Sequence, residues 1–291
     1  MTQRQRKTEG RWAAWMIAPS AIALALLALY PTIASIWQSL HRLLIVVHER
    51  RFVGLANYAF LVHDARFWSS LAQTAYFTVV SVSCELVLGL AFALLLHGRT
   101  PARALLRAAV LVPWAVPTVV SARMWSLFFH RDDAGIGVAF PLLDVDWLGT
   151  PGYAMHAAIL VDVWKTTPFV ALLLWAGLTG IPAALYDSAA IDGASRLRTF
   201  FAVTLPLLRP VVMVTALLRA LDAFRVFDVV YVLTEGGPAN TTETLSVYAY
   251  KTMMRGGDFG YGSALSFVTF LCVLALGALY VVANRGEEAA R

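Results

Sequence analysis

Seven ionisable side chains stand inside otherwise apolar stretches of this sequence: Glu85, Arg123, Asp162, Lys165, Arg219, Asp222 and Arg225. A charge at the centre of a membrane helix costs about 2.5–3.5 kcal/mol on insertion scales, so such groups face protein, water or one another. Their spacing offers partners: Asp162 and Lys165, Arg219 and Asp222, and Asp222 and Arg225 each stand three residues apart and share a helix face. Two readings stay open, ion pairs that tie helices together and a polar lining for a hydrophilic solute. Around Asp222 the residue types suit a solute. Asp222, Phe224, Arg225, Phe227, Asp228 and Tyr231 mix charges with aromatic faces. A carbohydrate uses both, because its hydroxyls take charge-assisted hydrogen bonds while its C–H faces stack on rings. Trp164 and Trp175 are weaker candidates, set against the ordinary packing role of a membrane tryptophan.

A second group of residues is polar without being catalytic. Residues 187–206 read DSAAIDGASRLRTFFAVTLP and separate two strongly apolar runs. Pro182 suits the first turn of a helix over Ala183 to Ile191, and Asp192-Gly193 supplies its stop, since glycine tolerates the left-handed conformation at a helix C-terminus. Ser195 is placed to cap a second short helix through Phe201, with Pro206 and Pro210 leading into the next apolar run. The expected product is a helix–turn–helix at a membrane surface. It is read either as an amphipathic loop on lipid headgroups or as a docking element whose small residues (Ala184, Ser188, Ala189) admit a partner.

The elements that must position these groups follow from composition. Of 291 residues 59% are hydrophobic and 14% charged, with a mean hydropathy of +0.68; a soluble domain carries about 25% charged residues. The expected fold class is an all-α integral membrane protein with six transmembrane helices, near residues 12–37, 71–96, 104–129, 153–179, 203–233 and 262–284. The fifth is the least apolar. The first follows Arg4, Arg6, Lys7 and Arg11 and lacks a small-x-small cleavage pattern, so it is read as a retained anchor.

With the N-terminus inside, Arg4, Arg6, Lys7, Arg11, Arg99, Arg103, Arg107, Arg196, Arg198, Arg285 and Arg291 are cytoplasmic, and Arg42, Arg50, Arg51, Arg66, Arg131, Lys251 and Arg255 are outside, 11 against 7. That bias places both termini and the polar cassette in the cytoplasm. The resulting division is 1–11 as N-terminal segment, 12–284 as membrane domain containing the cassette at 182–206, and 285–291 as tail.

The stretch DSAAIDGASRLRTFFAVTLPLLRP resembles the EAA motif of ABC importer permeases. Ala189, Asp192, Gly193, Ala194, Phe200, Leu205, Pro206 and Pro210 match, while Asp187 stands where the family has Glu and Ser188 where it has Ala. GLANYAFLV at 54–62, FRVFDVVYVLTEGGPANTTETLSVYAY at 224–250 and DFGYGSALS at 258–266 are similar to carbohydrate permeases of the maltose-importer kind. VWKTTPFVALLLWAGL at 163–178 and RALDAFRVFDVVYVLT at 219–234 look like the first permease subunit of bacterial trehalose importers. The resemblance covers residues 12–284. It implies a type I ABC importer permease fold in a bacterial cytoplasmic (inner) membrane, with the cassette as a coupling helix that inserts into an ATPase dimer. It further implies a second homologous permease, an extracytoplasmic sugar-binding protein, and a sugar path through residues 222–226.

The lysines Lys7, Lys165 and Lys251 follow Arg6, Trp164 and Tyr250, so the Gly-Lys of a P-loop is absent. The expectation is that this chain binds no cofactor and that ATP and Mg sit on the partner ATPase. Two other classes are weighed. A gradient-driven carrier or channel often shows two similar halves, and none is visible. A membrane enzyme could use Asp132, Asp133, Asp144 and Asp146 as metal ligands, but no nucleophile or histidine cluster accompanies them. Cys84 and Cys272 fall in apolar runs and form no CxxC pair, and the basic residues lie in short clusters beside apolar runs, which excludes a nucleic-acid surface.

Overall fold

The computed structural model describes residues 15–20, 22–98, 103–130, 135 and 145–288, with the side chains of 103–107 and 283–288 left out. The readings placed on Arg4, Arg6, Lys7, Arg11, Arg99, Arg131, Asp132, Asp133, Asp144 and Arg291, and on the side chains of Arg103, Arg107 and Arg285, lie outside the described residues. The helices in chain order are α1 (Trp15–Ser39), α2 (Ala56–His63), α3 (Ala65–His97), α4 (Arg103–Ala115), α5 (Thr118–Phe129), α6 (Tyr153–Thr179), α7 (Ala183–Ile191), α8 (Arg196–Thr199), α9 (Leu205–Ala223), α10 (Asp228–Thr234), α11 (Leu245–Tyr250) and α12 (Phe259–Glu288). Between α1 and α2 a two-stranded antiparallel hairpin, β1 (His41–Leu44) and β2 (Glu49–Phe52), pairs His41 with Phe52 and Leu44 with Glu49.

Among the described residues five helices are long and apolar enough to cross a membrane: Trp15–Ser39, Ala65–His97, Tyr153–Thr179, Arg196–Ala223 and Phe259–Val282. The expected third span is instead broken. Ala108–Ala115 and Thr118–Phe129 meet at a 98° bend, and together they would make a sixth crossing. Pro117 causes the break: it has no N–H to donate, it disfavours helix at the preceding Val116, and its own ψ of 139° leads the chain out.

The expected fifth span, 203–233, also differs. Its helix starts earlier, at Arg196, and ends at Ala223; residues 224–227 interrupt it before α10. Asp222, Arg225 and Asp228 gather at that interruption, all exposed, where a continuous helix would carry three charges through hydrocarbon. The Arg225 Nε–H closes the helix end by donating to the Leu221 carbonyl at 3.1 Å.

The chain divides into two compact units: residues up to Asp64 with Ala249–Val268, and Ala65–Tyr248 with the residues from Thr269 on. In the first, the two short motifs GLANY and DFGYGS have structural roles. Asn57 Nδ2 donates to the carbonyls of Ser39 and His41 at 2.7 and 3.0 Å, capping the end of α1, and Tyr58 Oη lies 2.6 Å from Ser39 Oγ. Tyr261 Oη donates to Asp64 Oδ2 at 2.6 Å. Gly260 passes so close to β1 that an added Cβ would lie 2.1 Å from the His41 carbonyl oxygen.

The second unit packs α3 along α6, joined by α5, α9 and α10. One apolar cluster centres on Phe77, Val161, Val229 and Val230; another joins Ala93, Val170, Leu174, Leu178 and Leu208. Arg66 forms a two-pronged ion pair with the buried Glu243, at 2.6 and 2.9 Å, and lies over the Tyr248 ring.

Gly260→Ala is expected to lower the thermal unfolding midpoint in detergent, at a cost of about 1–3 kcal/mol for forced overpacking. Gly277→Ala, where an added Cβ meets nothing within 4 Å, should be neutral or slightly stabilising. Equal midpoints for both variants would refute the close approach.

Candidate functional site

The seven charges singled out in the sequence divide into distinct roles. Arg219 is 3% exposed near the end of α9. Its Nε and Nη2 donate to the two oxygens of Glu85 on α3 at 2.6 and 2.9 Å, Nη2 reaches Asp162 Oδ2 on α6 at 3.2 Å, and Nη1 donates to Asp222 Oδ2 at 2.6 Å. Thr166 Oγ1 donates to Glu85 Oε1 at 2.7 Å. One guanidinium therefore ties three helices through fork-like, charge-assisted bonds.

Lys165 does not pair with Asp162 as the spacing predicts. Its ammonium instead donates to the Val116 carbonyl and, at 3.5 Å, to that of Trp114. Both carbonyls lie at the α4–α5 break. A cation at the C-terminal end of a broken helix satisfies freed acceptors and suits the helix dipole.

Next to this cluster opens a cavity of about 830 Å3, within the roughly 300–1,000 Å3 of small-molecule sites. Asp162, Lys165, Thr166, Asp222 and Arg225 give its polar wall, and Trp114, Phe169 and Phe227 its rings. Trp114 stacks on Phe169, with centroids 6.0 Å apart and planes at 18°. The side chains of Asp222 and Arg225 are 65% and 62% exposed and 3.9 Å apart. The two readings left open by the sequence thus meet at this cluster: Glu85 is buried in the ion pairs, Arg219 and Asp222 both pair and line the cavity, and Arg225 lines it at its open side.

The other path residues are placed as follows. Phe227 lines the cavity and stacks on Tyr231, 5.1 Å and 15° apart. Phe224 is buried in the core, and Trp164 packs edge-on against Trp125 at 5.6 Å; neither lines the cavity. Sequence reasoning missed Glu85 as the partner of Arg219, and it missed Trp114, Thr166 and Phe169. A signal for α6 was present: Asp162, Lys165, Thr166 and Phe169 follow the i, i+3, i+4, i+7 spacing of one helix face.

The cassette forms as its residues predict, with two changes. α7 ends in a Schellman motif: Gly193 has φ +70°, its N–H donates to the Ala190 carbonyl at 3.1 Å, and the Ala194 N–H donates to that of Ala189 at 2.9 Å. Pro182 sits one residue earlier than expected, as the extended residue that caps α7. Ser195 Oγ accepts the Arg198 N–H at 3.3 Å. The second short helix does not end at Phe201. It continues through a π turn, Phe200–Thr204, into α9. Leu205 N–H bonds to the Phe200 carbonyl five residues back, widening the turn where the Pro206 ring would otherwise press on the preceding turn.

Asp187, Ser188, Asp192 and Pro206 are exposed, and Ala189, Ala194 and Phe200 are half-buried. Ile191 and Leu197 stand 86% and 70% exposed. A groove of about 420 Å3 runs between Tyr186, Ala190, Ala194 and Phe200. Among the described residues no group of His, Cys, Asp and Glu gathers as metal ligands; Asp146 accepts the Gly149 N–H at 2.8 Å in a turn.

Residues 85–287 match the family described as binding-protein-dependent transport system inner membrane component. The chain belongs to this family. A trehalose/maltose transport system permease protein (MalF) of Thermococcus litoralis is 44% identical over 98% of this chain and 97% of its own. A trehalose transport system permease protein (SugA) of Mycobacterium tuberculosis is 38% identical over 95% and 89%. The structure of a bacterial ABC transporter involved in the import of alginate superposes with a TM-score of 0.82 over 99% of both chains at 19% identity, which fixes the fold as that of a type I ABC importer permease. This inner-membrane component is accordingly a transport subunit of an ATP-driven importer rather than an enzyme or a gradient-driven carrier.

Arg219→Met leaves Glu85 and Asp162 buried without their cation and is expected to cost about 3–5 kcal/mol. Asp222→Ala removes a partner that is mostly exposed and should cost under about 1 kcal/mol. Thermal unfolding of the two variants in the same detergent checks the order; similar losses would show that Arg219 is not the shared anchor.

Proposed function

We propose that this subunit forms half of the translocation path for a neutral α-linked disaccharide of the trehalose or maltose class. The observation that carries the proposal is the cavity at Asp222, where a stacked aromatic wall faces carboxylates and a guanidinium. That pairing suits a molecule with hydroxyls on its rim and C–H faces on its rings. The relatives named for trehalose and maltose transport support the same substrate class.

A second, homologous permease completes the path, and an extracytoplasmic sugar-binding protein delivers the solute. An ATPase dimer holding ATP and Mg docks on the exposed cassette, with both termini of this chain on the same, cytoplasmic side. Asp187, Ser188, Ala189, Asp192, Gly193, Ala194, Phe200 and Pro206 form the handle. Closure of the ATPase dimer displaces the handle, and the two permeases rock between inward- and outward-facing states. Asp222, Arg225 and Phe227 touch the sugar, with Tyr231 next along the path; Phe224 and Trp164 support them from the packed side.

In proteoliposomes carrying the assembled transporter and its binding protein, Asp222→Ala and Arg225→Ala are each expected to lower uptake of labelled trehalose or maltose at least tenfold while basal ATPase activity persists. Wild-type uptake by a correctly assembled variant would overturn the assignment. Gly193→Pro forces φ from +70° toward about −65°, so ATP hydrolysis is expected to continue without uptake. Full uptake in that variant would overturn the coupling role.

A further inference from the structure

The cavity at Asp222 is not the only polar, ring-bearing space along α10. A second pocket of about 420 Å3 is lined by Arg123, Leu148, Tyr231, Thr234, Glu235 and Gly237. It shares residue types with the first: Arg123, Glu235 and Tyr231 give it a guanidinium, a carboxylate and an aromatic ring, where the first has Arg219 and Arg225, Asp162, Asp222 and Asp228, and Trp114, Phe169 and Phe227.

The two spaces share a wall. Asp228 and Val229 at the start of α10 line the first, and Tyr231 to Thr234 line the second. The seven residues of α10 rise about 10 Å at 1.5 Å each, close to the length of one disaccharide. The ring pair that spans the wall is stacked face to face, Phe227 from the first cavity on Tyr231 from the second, 5.1 Å and 15° apart.

The far end of the second pocket is held rigidly. Glu235 adopts φ +51°, a left-handed conformation unfavourable for a non-glycine residue, at the C-terminal cap of α10. It is kept there by its N–H on the Tyr231 carbonyl at 3.1 Å and by the Gly237 N–H on the Thr234 carbonyl at 2.8 Å. Thr234 Oγ1 accepts the Gly236 N–H at 3.2 Å and lies 2.7 Å from Thr242 Oγ1, which is fully buried. Strain maintained by surrounding bonds at the rim of a polar pocket marks a place where a side chain must be presented in one position.

We propose that this pocket is a second solute station for the same neutral sugar, and that the Phe227–Tyr231 stack is the surface along which the sugar's C–H faces move between stations. The proposal rests on the sugar-path reading of the Asp222 cavity. Two stations with the same residue types let the solute exchange one carboxylate–guanidinium contact for another instead of leaving all its hydrogen bonds at once, which keeps each step shallow.

The test is protection of a reporter thiol in the assembled transporter, with Cys84 and Cys272 replaced by alanine. Thr118→Cys reports on the first cavity and Val232→Cys on the second, since both positions line their spaces. A small hydrophilic methanethiosulfonate is applied with and without saturating trehalose or maltose delivered by the binding protein, with sorbitol as control. Measurements are made in the resting complex and in the complex trapped with ATP and vanadate. Sugar is expected to slow labelling at both positions at least fivefold in one of the two states, and Tyr231→Ala to reduce uptake at least tenfold where Tyr231→Phe does not. If Thr118→Cys is protected and Val232→Cys is unprotected, or never reacts, the second station is overturned while the first stands. If neither is protected, the sugar-path reading itself fails.

Discussion

The Arg219 guanidinium is the interaction on which the membrane part of this molecule depends. It sits at the meeting of α3, α6 and α9 and holds the carboxylates of Glu85, Asp162 and Asp222. Buried ion pairs hold helices no better than well-packed apolar side chains of the same volume, because desolvation offsets most of the attraction. Helix association alone therefore does not account for four charges at one point. What an apolar junction could not do is present the Asp222 carboxylate, anchored through one oxygen by Arg219, toward the cavity with its other oxygen 3.9 Å from Arg225. Glu85 and Asp162 hold Arg219, Arg219 holds Asp222, and Asp222 lines the cavity.

The same logic explains why the broken helices lie where they do. A helix interrupted at membrane depth leaves carbonyls without donors, tolerable only where protein or a water-filled cavity meets them. The α4–α5 break is met by the Lys165 ammonium and the α9–α10 break by the Arg225 guanidinium, and both cations line the one cavity. Each cation completes a helix end and polarises the cavity with the same atoms. The 98° bend also brings the Trp114 ring beside Phe169, so the aromatic wall is a product of the break.

What the sequence disclosed and what it hid divide along local and distant interactions. The cassette was legible almost residue by residue, since Gly193, Ala194 and Ser195 act within five positions of themselves. The spans were legible from apolar length, with errors where proline or clustered charge interrupted them. The partnership of Glu85 with Arg219 was not, because 134 residues separate them and periodicity carries no information at that range. The hairpin at 41–52 was hidden for another reason: its Leu-Leu-Ile-Val-Val run has no polar alternation, so it does not announce a half-buried strand. Phe224 and Trp164 were chosen by residue type, and the structure places both in packing, because residue type gives no facing.

Continuity between the cassette and the cavity is the last structural point. The expected second coupling helix turns out to be the first turns of the membrane helix itself: Arg196–Ala223 runs as one helical rod of 28 residues, about 42 Å at 1.5 Å per residue. Gly193, in the Schellman turn, is the one glycine between α7 and that rod, and Arg219 lies close to the rod's other end. A displacement applied at the exposed cassette therefore need not pass through side-chain relays to reach the solute cavity. Backbone hydrogen bonds run unbroken from the cassette to the helical turn that carries the guanidinium paired with Asp222. The π turn at Phe200–Thr204 and the prolines at 206 and 210 are the places where the rod can bend. They sit near the cassette, far from Arg219, so bending there redirects the rod while leaving the charge cluster intact.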